Sequence, residues 1–150
     1  MITTGRGPGI RARALNGTLM LAVDRLGLPL PALRVLRVHG RRTGSLHRVP
    51  LLVLRMRDTG RRYLVAPRGR TDWARNLDSA GWGEIGRGRR LHRVRAIAVT
   101  GAEREEAIAA YLRRFGWLNR KVFGVERRPS ATRIAELAPH HAVFRLEPYE

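Results

Sequence analysis

A chain of 150 residues with 43% apolar content is enough for one domain with one hydrophobic core, and it excludes wholesale disorder. Its formal charge is +18, carried by 30 lysines and arginines of which Lys121 is the single lysine. There is no cysteine, which excludes disulfides, thiolate catalysis and thiolate metal sites.

Taken in chain order, residues 1–12 are rich in glycine and arginine and read as a loose tail. Leu15, Leu19, Ala22 and Leu26 stand at helical spacing, so 13–27 reads as a helix ended by Gly27, Pro29 and Pro31. A packed helix is the first reading of that segment, and a helix lying on a membrane surface is the alternative. Leu33 to Val38 reads as a strand. Arg48 to Met56 is a stronger one, with Pro50 marking an edge or a bulge. Asp58-Thr59-Gly60 is a turn, and Arg62 to Ala66 returns as the second arm of a hairpin. Thr71 or Asp72 caps a short helix through Ala80. Trp82 to Ile85 and Leu91 to Thr100 form another hairpin, turning at Gly86-Arg87-Gly88.

Thr100-Gly101-Ala102-Glu103 has the form of a capping box. The helix after it puts Ile108, Tyr111, Leu112 and Phe115 on one face, and its acidic start and Arg113-Arg114 end suit the helix dipole. Pro129-Ser130 opens a last helix, ended by Pro139, and Ala142 to Leu146 is a final strand. Strands outnumber helices and are joined by short turns. This argues for a mainly β (α+β) domain with an antiparallel sheet or barrel, not a doubly wound parallel one. No stretch approaches the ~20 apolar residues of a membrane span, and no ordered signal-peptide pattern opens the chain. The expectation is a single domain over 1–150 in the cytoplasm, with membrane contact through 13–27 as the variant.

Several motifs fail on context. Gly81-Trp82-Gly83-Glu84-Ile85-Gly86 has the G-x-G-x-x-G spacing, but a helix precedes it and a strand follows, the reverse of a dinucleotide-binding turn. His140 and His141 are adjacent on a strand start and point to opposite faces, so they do not share a metal. His39, His47 and His92 show no ligand spacing, and no metal is expected. Ser45 and His47 have no acidic residue close by in sequence to make a hydrolytic triad. Arg87, Arg89, Arg90, Arg93 and Arg95 make a basic hairpin, read as a solvated surface or as one wall of an anion cleft.

Two blocks about twenty residues apart carry more. Gly40-Arg41-Arg42-Thr43-Gly44 precedes a strong strand, and Ala66-Pro67-Arg68-Gly69 follows the next one. Glycines let backbone N–H groups approach an anion, and arginine grips phosphate or carboxylate with a planar fork. Brought together on a sheet, the two turns would form a cationic, backbone-rich pocket.

These residues resemble the deazaflavin-dependent nitroreductase and F420H2-dependent reductase family. The G-R-[RK]-[ST]-G turn is matched by Gly40, Arg41, Arg42, Thr43 and Gly44, and the next strand by Pro50 and Leu51. Ala66, Pro67, Arg68 and Gly69 match the following turn, and the W-x-x-N-L helix is matched by Trp73, Asn76 and Leu77. Departures are His47 where the family often has arginine, Pro67 for a common serine, and the scarcity of tyrosines that line the substrate side in characterised members.

The resemblance implies an antiparallel split β-barrel, FMN-binding-like, with flanking helices, coenzyme F420 as cofactor and FMN as the alternative. It implies an oxidoreductase that passes hydride to a small electron-poor acceptor such as a nitro compound, quinone or enone, in a barrel that often pairs as a homodimer. Arg41, Arg42, Thr43 and Gly44 would hold the phosphate and the tail carboxylates, extended by Arg48 and His47. Pro50, Leu51, Ala66 and Pro67 would wall the ring, with Arg68 and Gly69 at its polar edge. Trp73 would pack the short helix or border the pocket, and Asn76 would tie helix to strand. No catalytic acid stands out. Alternatives are an FMN, FAD or haem split barrel and a basic nucleic-acid-binding module. The second is disfavoured because few of the nine aromatics alternate with arginine along one strand, so no specific nucleic-acid partner is expected.

Overall fold

A computed structural model describes residues 32–125 and 129–149 of the chain. The chain divides into two units, Met1–Leu33 and Arg34–Glu150, and the barrel belongs to the second. The tail expected over 1–12 and the helix expected over 13–27 lie outside the described residues. The strands are β1 (Leu33–His39), β2 (Leu46–Arg55), β3 (Arg62–Val65), β4 (Trp82–Arg87), β5 (Arg90–Ala98) and β6 (Val143–Pro148). The helices are α1 (Asp72–Ala80), α2 (Gly101–Phe123) and α3 (Ala131–Leu137), the last running into a 3₁₀ turn at Ala138–His140. The strands close into a barrel in the order β1-β2-β3-β6-β5-β4.

Alternation explains the closure. In β1, Leu36 and Val38 are fully buried, while Arg37 between them forms a forked pair with its cross-strand partner Glu84 at 2.6 and 3.3 Å. Leu64, Ile85, Val94 and Phe144 complete the interior from β3, β4, β5 and β6. Each such side chain contributes about 1.5–3 kcal/mol of burial. β2 begins two residues earlier than its composition suggests, at Leu46. Its ladder with β3 spans only Val53 to Arg55. Pro50 therefore sits where β2 has run past β3, and its missing N–H costs that ladder nothing.

The β4–β5 turn is shifted from the expected position. Gly86 lies inside β4 opposite Leu91, and the turn is Gly88-Arg89. A side chain at Gly86 would run into the Arg90 carbonyl, so this glycine serves a close backbone approach.

Helix α1 starts after Thr71 and ends at Gly81, whose N–H bonds the Leu77 carbonyl at 2.8 Å. Its Ala74 and Leu77 drop into the barrel core. Helix α2 is longer than expected, since Arg113-Arg114 do not end it. The rings of Tyr111 and Phe123 lie 6.0 Å apart although twelve residues separate them. A straight helix would advance about 18 Å over that stretch. α2 therefore bends back, and Gly116 is the only glycine in its interior. Ser130 caps α3 by accepting from the Arg133 N–H at 3.1 Å. Glu103 faces the barrel wall, where its Oε1 accepts from the Tyr63 hydroxyl at 2.9 Å and from Arg145 Nη1 at 2.6 Å.

Antiparallel order brings the C-terminal ends of β1, β3 and β5 to the same rim as the N-terminal ends of β2, β4 and β6. The 40–45 turn, the 66–71 segment and the corner at 141–142 thus share one rim. The 56–61 and 88–89 turns occupy the other.

Candidate functional site

The first glycine turn is a tight loop. Gly40 N–H donates to the Ser45 carbonyl at 2.8 Å, and Gly44 N–H donates to the Gly40 carbonyl at 2.9 Å. Gly44 takes a φ of 72°, and any side chain at Gly40 would press on His47 Nε2. Thr43 and Ser45 hydroxyls are 2.7 Å apart, with His47 Nε2 3.4 Å beyond Ser45 Oγ. No carboxylate among the described residues bonds His47, so this chain of groups lacks the third member of a triad. His39 Nδ1 donates to the Gly44 carbonyl at 3.0 Å and steadies the turn from behind.

The second turn is held more deeply. Ala66 is fully buried, its N–H bonds the Ala142 carbonyl at 2.9 Å, and its carbonyl accepts from Gly69 N–H at 3.0 Å. Gly69 has a φ of 92°, and a Cβ there would stand 3.1 Å from the His140 carbonyl. Only glycine fits that approach. Buried His141 donates from Nδ1 to the same Ala66 carbonyl at 2.9 Å. Burial lowers the proton affinity of its imidazole, against the bond to the Ala66 carbonyl, which raises it.

Asn76 ties the first block to α1. This buried side chain accepts through Oδ1 from Arg41 N–H at 3.1 Å and from Arg41 Nη1 at 2.8 Å. Arg41 also approaches Asp72 at 3.5 Å. Its guanidinium is thus turned onto α1. Arg42, Arg48, Arg68 and Arg70 are exposed at the same rim, and no carboxylate among the described residues pairs with them. Pro50, Leu51 and Pro67 are half-buried, and Leu51 packs against the core. Trp73 packs on the core with its ring 6.2 Å from Phe144. Thr71 Oγ1, at the head of α1 beside Asp72, is buried without a hydrogen-bond partner. The sequence offers Thr71 only as a helix cap and His141 only as a metal ligand; the bond that His141 makes is to Ala66, 75 residues away.

The fold and this rim define a split β-barrel of the FMN-binding-like class, with a cationic turn pair at one mouth. The chain belongs to the F420H(2)-dependent quinone reductase family, whose profile matches residues 12–122. It is an oxidoreductase, and its cofactor is coenzyme F420. No curated protein matches the sequence closely enough to count. Among solved structures, it is similar to the F420-H2 dependent reductase FDR-A, at 17% identity and a TM-score of 0.53, over 77% of this chain and 94% of that one. It is also similar to HutZ, a haem storage protein from Vibrio cholerae, at 14% identity and a TM-score of 0.53, over 79% of this chain and 82% of that one. A third, described as a putative 5-nitroimidazole antibiotic resistance protein from Bacteroides thetaiotaomicron, has 11% identity and a TM-score of 0.50, over 85% of this chain and 79% of that one. These likenesses establish the fold. Among the described residues no helix is long and apolar enough to cross a membrane.

Proposed function

We propose that this protein uses reduced F420 to transfer hydride to a small electron-poor acceptor, a quinone first, with nitro compounds and enones in the same class. The observation that carries this reading is that the strand order puts two glycine turns at one end of the barrel, with four exposed arginines that no carboxylate among the described residues pairs. F420 carries a phosphate and an oligoglutamate tail, so its anionic charge complements that rim. The residues present fit such a group. Gly44 is exposed, with no atom beyond its chain neighbours within 4 Å of where its Cβ would be, and the Thr71 hydroxyl is buried without a partner among the described residues.

In this reading Arg42, Arg48 and Arg68 bind phosphate and tail carboxylates through charge-assisted hydrogen bonds. Arg41, spent on Asn76 and Asp72, positions the first turn rather than touching the ligand directly. Thr43, engaged with Ser45, shapes the same turn, while His47 and Gly44 complete its surface. Pro50, Leu51 and Pro67, all half-buried, offer apolar walls that exclude water from a flat ring, whereas Ala66 is fully buried in the core and shapes the loop instead of walling the ring. Gly69 lets the backbone come close, and Trp73 and Asn76 brace α1 beneath. The deazaflavin, when bound, supplies the hydride. The chain's own contribution is grip, aim and exclusion of water.

An anaerobic screen with F420H2 and a panel of quinones, nitroarenes and enones tests this. Reoxidation of the cofactor is followed optically. Turnover with quinones, and no turnover when reduced FMN replaces F420H2, is the expected result. Turnover with reduced FMN alone would remove the reading.

A further inference from the structure

We propose that His141 is a positioning residue for the 66–69 loop, holding that loop in the shape that receives the cofactor. The inference rests on the assignment of this loop to the cofactor rim. Both backbone groups of Ala66 are gripped by the 141–142 corner: its N–H goes to the Ala142 carbonyl, and its carbonyl receives His141 Nδ1–H at 2.9 Å. The same carbonyl closes the loop by accepting from Gly69 N–H at 3.0 Å. The histidine therefore acts on the acceptor that defines the turn. A carbonyl can only accept, so Nδ1 carries the proton and the imidazole tautomer is fixed.

The far side of the ring is held as well. Phe123, at the folded-back end of α2, lies 4.4 Å from the His141 ring centre at 35°. Tyr111 packs behind Phe123. A chain of contacts thus runs from the bend of α2 through Phe123 and His141 to Ala66. The depressed proton affinity of His141 agrees with this arrangement, since a neutral ring suits both an apolar stacking partner and a single carbonyl acceptor. No residue on β3 supplies an equivalent bond to the Ala66 carbonyl. Losing it frees the loop without opening the barrel.

Two variants separate the donor from the ring. His141→Phe keeps a ring against Phe123 and removes the N–H. His141→Asn keeps an N–H donor at similar reach and removes the ring. Both are compared with the wild type in the full chain by steady-state kinetics with F420H2 at a fixed quinone concentration. Amide hydrogen exchange of the 66–71 segment is measured in parallel on protein without cofactor. For His141→Phe the expectation is a KM for F420H2 raised roughly tenfold with kcat changed less than about twofold, and faster exchange of the Gly69 amide. His141→Asn is expected to restore most of both. Unchanged Gly69 exchange in His141→Phe, or equal defects in the two variants, would overturn the proposal. If the wild type fails to oxidise F420H2, the cofactor assignment falls on its own, and the exchange comparison still decides whether His141 holds the loop.

Discussion

Where α2 meets the barrel, Arg145 is held between two carboxylates, Glu103 at 2.6 Å and Glu147 at 3.1 Å, with the Tyr63 hydroxyl on the same Glu103 oxygen. At the rim of the glycine turns, Arg42, Arg48, Arg68 and Arg70 stand exposed with no carboxylate among the described residues to answer them. The same residue type is used in opposite ways. At the junction, charge is neutralised in place, and its removal should harm folding. At the rim, charge is left open, so folding gains nothing from it and a polyanion does.

Removing arginines from each set in turn separates the two uses most sharply. Arg42→Ala combined with Arg68→Ala should weaken F420 binding roughly a hundredfold, about 1.5 kcal/mol for each lost charge-assisted bond, without lowering Tm. Fluorescence titration and thermal melting read the two halves of that statement. Arg145→Ala should do the reverse, costing about 2 kcal/mol of stability, between the values for exposed and buried pairs, with F420 affinity unchanged. Denaturant unfolding checks it. Asn76→Ala sits between the regions, because Asn76 Oδ1 satisfies the Arg41 backbone and also fixes the turn. It should cost about 1–2 kcal/mol of stability and weaken F420 binding as well, so both assays should move together.

The smallest effect concerns pH. The Arg145 guanidinium, with the Tyr63 hydroxyl, holds the Glu103 carboxyl below its ordinary value of 4.5. The unfolded chain therefore takes up this proton first as pH falls. Stability from the cluster is complete above about pH 4.5 and is lost as pH drops below it. Glu103→Gln should flatten the acid limb of the stability curve and leave the neutral limb parallel to wild type. An unaltered acid limb would contradict the assignment.

Much of the barrel was legible because strand alternation and turn chemistry are local. Leu36 and Val38, the Asp58-Thr59-Gly60 turn, the Ser130 cap and the helical start at Asp72 all follow from neighbours in sequence. The β4–β5 turn was misplaced because Gly86 signals a turn to its neighbours, whereas its real constraint is the Arg90 carbonyl across the ladder. The length of α2 is not legible because Arg113-Arg114 read as a basic end suited to the helix dipole, whereas the helix runs on through buried Gly116 to Phe123. At the site, the residue types of both blocks could be read. Their joining could not. Arg41 meets Asn76 across 35 residues and His141 meets Ala66 across 75, and no local pattern encodes either bond.

The most direct test of an open cationic rim compares two ligands with the same ring. Affinities of the purified protein for F420 and for the deazaflavin lacking phosphate and glutamate tail should be measured at physiological salt. The rim requires the truncated ligand to bind at least about a hundredfold more weakly, since its anionic contacts are gone. Equal affinities would mean that the ring alone is recognised and that the arginines at this rim serve something else.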